Sequence, residues 1–135
     1  MADAFVRGVR LEYQRIEQPG SDQPTIVMLH EGLGSIATWR DFPAQLAATT
    51  GAPIMLYSRR GYGRSDPLSA KRPVTFLHEE ALEVLPALLD QLEIERPVLF
   101  GHSDGASIAL IYAGGIGRSL AGVVAMAPHV MVEDI

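Results

Sequence analysis

A chain of 135 residues with 47% hydrophobic and 20% charged content is long enough to bury one core and too apolar to remain disordered. A formal charge of -5, with no basic runs beyond Arg59-Arg60 and Lys71-Arg72, excludes nucleic acid and an anionic membrane surface as expected partners and leaves a small molecule. The absence of cysteine excludes disulfides and thiolate metal sites, and neither a metal nor a cofactor is expected.

Taken in order, Val9, Leu11 and Tyr13 alternate with Arg10, Glu12 and Gln14, which predicts an antiparallel strand at a sheet margin with one apolar and one solvated face. Residues 5–7 are placed to pair with it across Gly8. A turn at 18–24 follows. Four continuously apolar runs, 25–29, 53–57, 97–100 and 122–127, have the pattern of strands covered on both faces, as in a parallel sheet. Helices are expected between them as crossovers. One spans about 39–50, with Pro43 in its first turn and Gly51 beyond its end. Another spans about 75–92, with Leu77, Ala81, Val84, Leu85, Leu88 and Leu92 on one face, Thr75 as cap, Glu79 and Glu80 near the first turn, and Pro86 kinking the exposed side. A third begins after Ser103 and is apolar all round, so it should be buried. The first residues lack the apolar stretch of a signal peptide, and 120–132 is too short to span a bilayer. A cytoplasmic protein without membrane contact is expected.

The rest of the chain is organised around FGHSDG at 100–105. A strand, the spacing G-x-S-x-G and a helix, in that order, are what a nucleophile elbow needs: a serine on a strained turn, a glycine two residues to either side, and a helix amino end that favours developing negative charge. After the first buried strand, LHEGLGS at 29–35 forms a Gly-rich turn whose N–H groups can join that of Asp104 in an oxyanion hole. With SRRGYGRSD at 58–66, these motifs resemble the amino-terminal half of an α/β-hydrolase fold protein. The resemblance implies an α/β fold with a mostly parallel sheet and flanking helices. It also implies a serine hydrolase acting on a carboxylic ester or similar acyl bond. Ser103 matches the nucleophile and Asp104 the first oxyanion donor. Leu33 matches the second donor, with Gly32 the alternative because Glu31 is inserted into the usual turn. Ser58 stands where the family commonly has aspartate, so that loop should be held differently.

The acid and late histidine that the resemblance implies have no counterpart in the sequence. His30 belongs to the oxyanion turn, His102 points away from the serine by alternation, and His78 is read as solvated. His129 follows the last strand and is read as a substrate-binding, pocket-lining residue. Glu133 and Asp134 are read as a solvated tail, and Arg59 and Arg60 as loop residues with a lesser claim to clamp an anionic substrate. Asp104 should turn aside from the oxyanion hole, where its carboxylate can recognise a cationic group on the substrate. The chain is expected to be one incomplete domain over 1–135, with strand 122–127 at an open edge that associates with itself or with a carboxyl-terminal partner chain. Two alternatives stand beside the hydrolase: a non-catalytic fragment or interaction module, and an acyltransferase or carbon-carbon bond hydrolase on the same scaffold.

Overall fold

The structure, a computed structural model, describes residues 1–128. Six strands form one sheet in the order β1-β2-β4-β3-β5-β6. β1 (Ala2–Val6) and β2 (Val9–Ile16) make an antiparallel hairpin, closed by Arg7 at φ 54° and Gly8 at φ 81°. Two positive φ values in succession twist a two-residue hairpin the way its strands twist. β2 pairs antiparallel with β4 (Ile54–Tyr57), so β1 is the margin. The remaining ladders, β4 with β3 (Ile26–Leu29), β3 with β5 (Val98–His102) and β5 with β6 (Gly122–Met126), are parallel, as the apolar runs predict.

β3 and β4 are buried along their whole length, and their side chains divide by the strand period of two. Val27, Leu29, Met55 and Tyr57 enter a core with Leu85, Leu88 and Ile108, whereas Ile26, Met28, Ile54 and Leu56 enter a second core with Ile36 and Ala47. The sheet is therefore covered on both faces, and the second core is the smaller.

The first expected helix is split. A 3-10 turn, Ile36–Trp39, is capped by reciprocal bonds between Ser35 and Thr38 and ends at Arg40 with φ 54°. Then α1 (Phe42–Thr50) begins with proline in its first turn and ends on Gly51, whose left-handed φ of 72° lets its N–H reach the Ala47 carbonyl. The second helix is continuous but irregular: α2 (Phe76–Glu79), a π-helical turn (Glu80–Val84) and α3 (Leu85–Gln91). Pro86 is buried rather than exposed. Its missing N–H and its ring are accommodated by the widened turn before it, where the Leu85 N–H reaches back to the Glu80 carbonyl. Thr75 stands at the cap position without making a cap bond; its hydroxyl turns to the Glu79 carboxylate. α4 (Asp104–Gly115) packs on β5, β6 and the π turn, burying Ile108, Ala109 and Tyr112 while Leu110 stays 39% exposed.

On the far side β6 is the last strand of the sheet among the described residues, as expected, and Val123, Val124 and Met126 are each more than a third exposed. Among the described residues no helix is long and apolar enough to cross a membrane.

Candidate active site

Parallel strands in this order leave a crevice at their carboxyl ends, where the chain leaves β3 toward β4 on one side and later returns to pair β5 on the other. The elbow lies there. Ser103 joins β5 to α4 with φ 56° and ψ -114°, a backbone state that an L-residue adopts only under constraint. The constraint is visible on either side of it. A Cβ at Gly101 would overlap the Gly105 carbonyl, and a Cβ at Gly105 would overlap the carbonyl of Leu29 at the end of β3. The first turn of α4 can press onto β3 only because both positions lack side chains. The Ser103 N–H donates to the Met126 carbonyl at 2.8 Å, tying the elbow to β6.

Facing it is the turn at 30–34. The Gly34 N–H donates to the Glu31 carbonyl at 3.2 Å, while neither the Gly32 nor the Leu33 N–H has an acceptor among the described residues. The Leu33 side chain is 92% exposed, so its placement rests on the backbone of the turn. The half-buried Asp104 side chain lies against this turn: its Oδ2 would be 2.5 Å from a Cβ at Gly32. The structure thus brings Asp104, the residue after Ser103, against Gly32, the residue before Leu33. His129 lies outside the described residues, as do Glu133 and Asp134.

The turn is held from beneath by two buried side chains. His30 accepts the Arg59 N–H on Nε2 at 3.0 Å, so its proton sits on Nδ1, which bonds the Glu31 carbonyl at 2.7 Å. The Arg59 guanidinium donates to the carbonyls of His30 at 2.5 Å and Glu31 at 3.1 Å. Arg59 is 3% exposed, which corrects the surface-loop reading; the backbone carbonyls of the turn are what it serves. His30 is consequently occupied at both ring nitrogens, and burial, then the Arg59 charge, lower its pKa from 6.5 to about 3. It cannot serve Ser103 as a base. His78 is exposed on α2, as read. His102 lines a cavity of about 200 Å³ with His30, Glu31, Thr38 and Trp39.

The loop after β4 is also held in a way that the alternating pattern of β2 concealed. Ser58 donates to Glu12 Oε1 at 2.7 Å and accepts the Ile36 N–H at 3.0 Å; Ser65 donates to the Ser58 carbonyl at 2.6 Å and accepts the Glu12 N–H at 2.9 Å. Glu12 is 5% exposed and not on a solvated face. It brings from β2 the carboxylate that position 58 lacks, and serine at 58 was the available clue.

A match to the alpha/beta hydrolase fold model runs over residues 24–134. The chain belongs to the alpha/beta hydrolase fold family. Curated relatives of this family member include a proline iminopeptidase of Lactobacillus helveticus (strain DPC 4571), 32% identical over 100 residues that make up 74% of this chain and 34% of the relative. Another is 2-hydroxy-6-oxononadienedioate/2-hydroxy-6-oxononatrienedioate hydrolase 2 of Pseudomonas putida, 31% identical over 96 residues, or 70% of this chain and 32% of the relative. The chain spans about a third of the length of these curated relatives. Among solved structures, an alpha/beta hydrolase fold protein from Burkholderia ambifaria superposes with a TM-score of 0.82 at 22% identity, over 99% of this chain and 46% of that one. The enol-lactonase from Burkholderia xenovorans LB400 gives 0.74 at 23% identity, over 90% and 45%. At these identities the structural likeness speaks to the fold alone.

Because the folded state holds His30 neutral while the unfolded chain protonates it near 6.5, the unfolded state binds more protons in between. This contribution to stability is complete above about pH 6.5 and declines as the pH falls toward 3, by at most roughly 1.4 kcal/mol per pH unit. His30→Gln keeps an acceptor for the Arg59 N–H without titrating. Denaturant melts between pH 6.5 and 4 should show a shallower acid-side loss in this variant than in the unsubstituted protein, and equal slopes would contradict the assignment.

Proposed function

We propose that this chain carries the nucleophile and oxyanion hole of a serine hydrolase acting on an ester or similar acyl bond. The observation that carries the reading is Ser103 in left-handed backbone at a strand-helix junction, between two glycines whose hydrogens face carbonyls at close packing. In the proposed reaction the Ser103 hydroxyl loses its proton to a base and adds to the acyl carbon, and the N–H groups of Asp104 and Leu33 receive the oxyanion. Collapse of the adduct breaks the ester bond and expels the alcohol, which takes up that proton. Water then adds to the acyl-serine, releasing the carboxylic acid and restoring the Ser103 hydroxyl. Gly32 is the alternative second donor. Asp104 opens α4, where a first-turn N–H has no partner within its own helix. The proton acceptor and its orienting acid belong, in this reading, to chain outside the described residues, and His129 keeps the substrate-binding role that the sequence suggests. Removing the base leaves the oxyanion hole, which in the serine-protease template still gives roughly 10³ to 10⁴ over water. A fluorophosphonate should therefore label the 135-residue chain slowly, and labelling should vanish in Ser103→Ala. Labelling that survives this substitution would overturn the assignment.

The Asp104 carboxylate beside the turn supports a preference for substrates with a positive charge near the acyl group. Relatives named proline iminopeptidase fit that preference, since proline carries a cyclic amine. The whole enzyme should favour amino-acyl esters over their desamino analogues by about 1–3 kcal/mol in kcat/KM, and Asp104→Asn should erase the difference. Equal selectivity in the two proteins would refute the role.

We also propose that β6 is covered by a carboxyl-terminal segment or by a second copy of the chain. The support is an edge strand with Val123, Val124 and Met126 exposed and no charge along it. Light scattering of the 135-residue chain should report a mass that rises with concentration and becomes constant when a carboxyl-terminal half is co-expressed. A monomer at every concentration would contradict this.

A further inference from the structure

One cavity among the described residues is not lined by Ser103. It has a volume of about 450 Å³ and lies between the β1-β2 hairpin, the loop 59–73 and the helix 76–84, within the size range of small-molecule sites. Its chemistry is unlike that of the chain as a whole. The protein carries a net charge of -5, yet five cationic side chains and three carboxylates line this space. Two of these charges cancel locally, because Arg7 pairs with Glu83 at 2.6 Å. Glu80 is also muted: Tyr57 donates to it at 2.8 Å, and burial pushes its carboxyl up toward the neutral form. What remains is Arg59, Arg60, Lys71 and Arg72 against the single carboxylate of Glu79, an excess of positive charge.

Arg59 makes that excess unusual. It is 97% buried by its 3% exposure, forms no ion pair among the described residues, and its Nε has no hydrogen-bond acceptor there. Its guanidinium lies 5.3 Å from the Tyr62 ring centre and its charge acts on Glu80, but a carboxyl pushed toward its neutral form compensates a buried cation incompletely, and a ligand anion is one means of completing it. Arg72 is held in place for such a ligand. Its guanidinium stacks 4.7 Å from the Tyr62 ring centre and 5.1 Å from that of Phe76, and it donates to the Arg60 carbonyl at 3.3 Å. Arginine fixed by aromatic faces presents a planar fork at little further entropic cost, the geometry that recognises a carboxylate. The lining also includes the apolar Val9, Leu11, Leu68 and Val84.

We propose that this cavity is a binding site, separate from the elbow, for an organic carboxylate with an apolar body. The carboxylate lies against Arg59 and Arg72, and the apolar body lies along Leu11 and Val84. The site goes beyond the hydrolase reading and does not depend on it. It shares one residue with the candidate active site, since the same Arg59 holds the His30 and Glu31 carbonyls.

The test is a titration of the 135-residue chain, followed by backbone amide NMR, with 4-phenylbutyrate, with the neutral 4-phenylbutan-1-ol, and with acetate. The expected result is saturable binding of phenylbutyrate, about tenfold or more tighter than the alcohol, with acetate weaker than phenylbutyrate and shifts concentrated in residues 59–84. Arg72→Met keeps the stem over the aromatic rings, and Arg60→Met removes a more exposed cation. Each should weaken phenylbutyrate severalfold while leaving the amide spectrum that of a folded protein. No saturable binding, equal affinity for acid and alcohol, shifts confined to residues 30–34 and 101–105, or full affinity in both variants would each overturn the proposal.

Discussion

The contact on which the site depends is that of Gly105 with the Leu29 carbonyl. The first turn of α4 comes so close to the end of β3 that no side chain fits between them. That approach fixes where the helix begins, and Gly101 allows the chain to reach it from β5 without collision. Ser103, caught between these two points, takes a left-handed φ that costs of order 1–3 kcal/mol in isolation. The sheet supplies the compensation. β3 is buried and paired on both sides, so the acceptor surface against which α4 presses does not yield. Strain at the serine is thus a consequence of packing two glycines, and it raises the side chain at the carboxyl end of the sheet.

A turn that is to face the elbow needs equal rigidity, and here it comes from polar groups. His30 and Arg59 bond the His30 and Glu31 carbonyls, while the Gly32 and Leu33 N–H groups have no acceptor among the described residues. Ser58, Glu12 and Ser65 in turn hold the start of the loop that carries Arg59, and the Ile36 N–H joins that network to the end of the same turn. Buried networks of this kind are stable only when their members are satisfied, and the cost of an unsatisfied one is of order 1–3 kcal/mol. Arg59 Nε is the unsatisfied atom among these groups. The same Arg59 is among the residues that line the cavity of about 450 Å³.

Much of this architecture was legible in the sequence because it follows from short-range rules. Unbroken apolar runs at 25–29 and 53–57 gave buried parallel strands, and G-x-S-x-G gave the tight junction between β5 and α4 at Ser103. Gly51 gave the end of α1. What escaped depends on contacts between residues far apart in the chain. Glu12 follows the alternation of a half-solvated strand, and only its approach to Ser58, 46 positions away, buries it. Glu80 sits where a first-turn acid suits a helix dipole, yet Tyr57 claims it. Pro86 was expected on an exposed face, but the π turn before it rotates the helix and carries it inward. Arg59 beside Arg60 reads as a charged loop, and nothing local distinguishes the one that enters the core.

The central claim is that Ser103, the Asp104 N–H and the Leu33 N–H converge on one reacting atom. A crystal structure of the phosphonate adduct would measure this directly. The account predicts phosphorus on Ser103 Oγ and a phosphonyl oxygen about 3 Å from both backbone nitrogens. An adduct on another residue, or a phosphonyl oxygen directed to solvent away from residues 32–33 and 104, would contradict it.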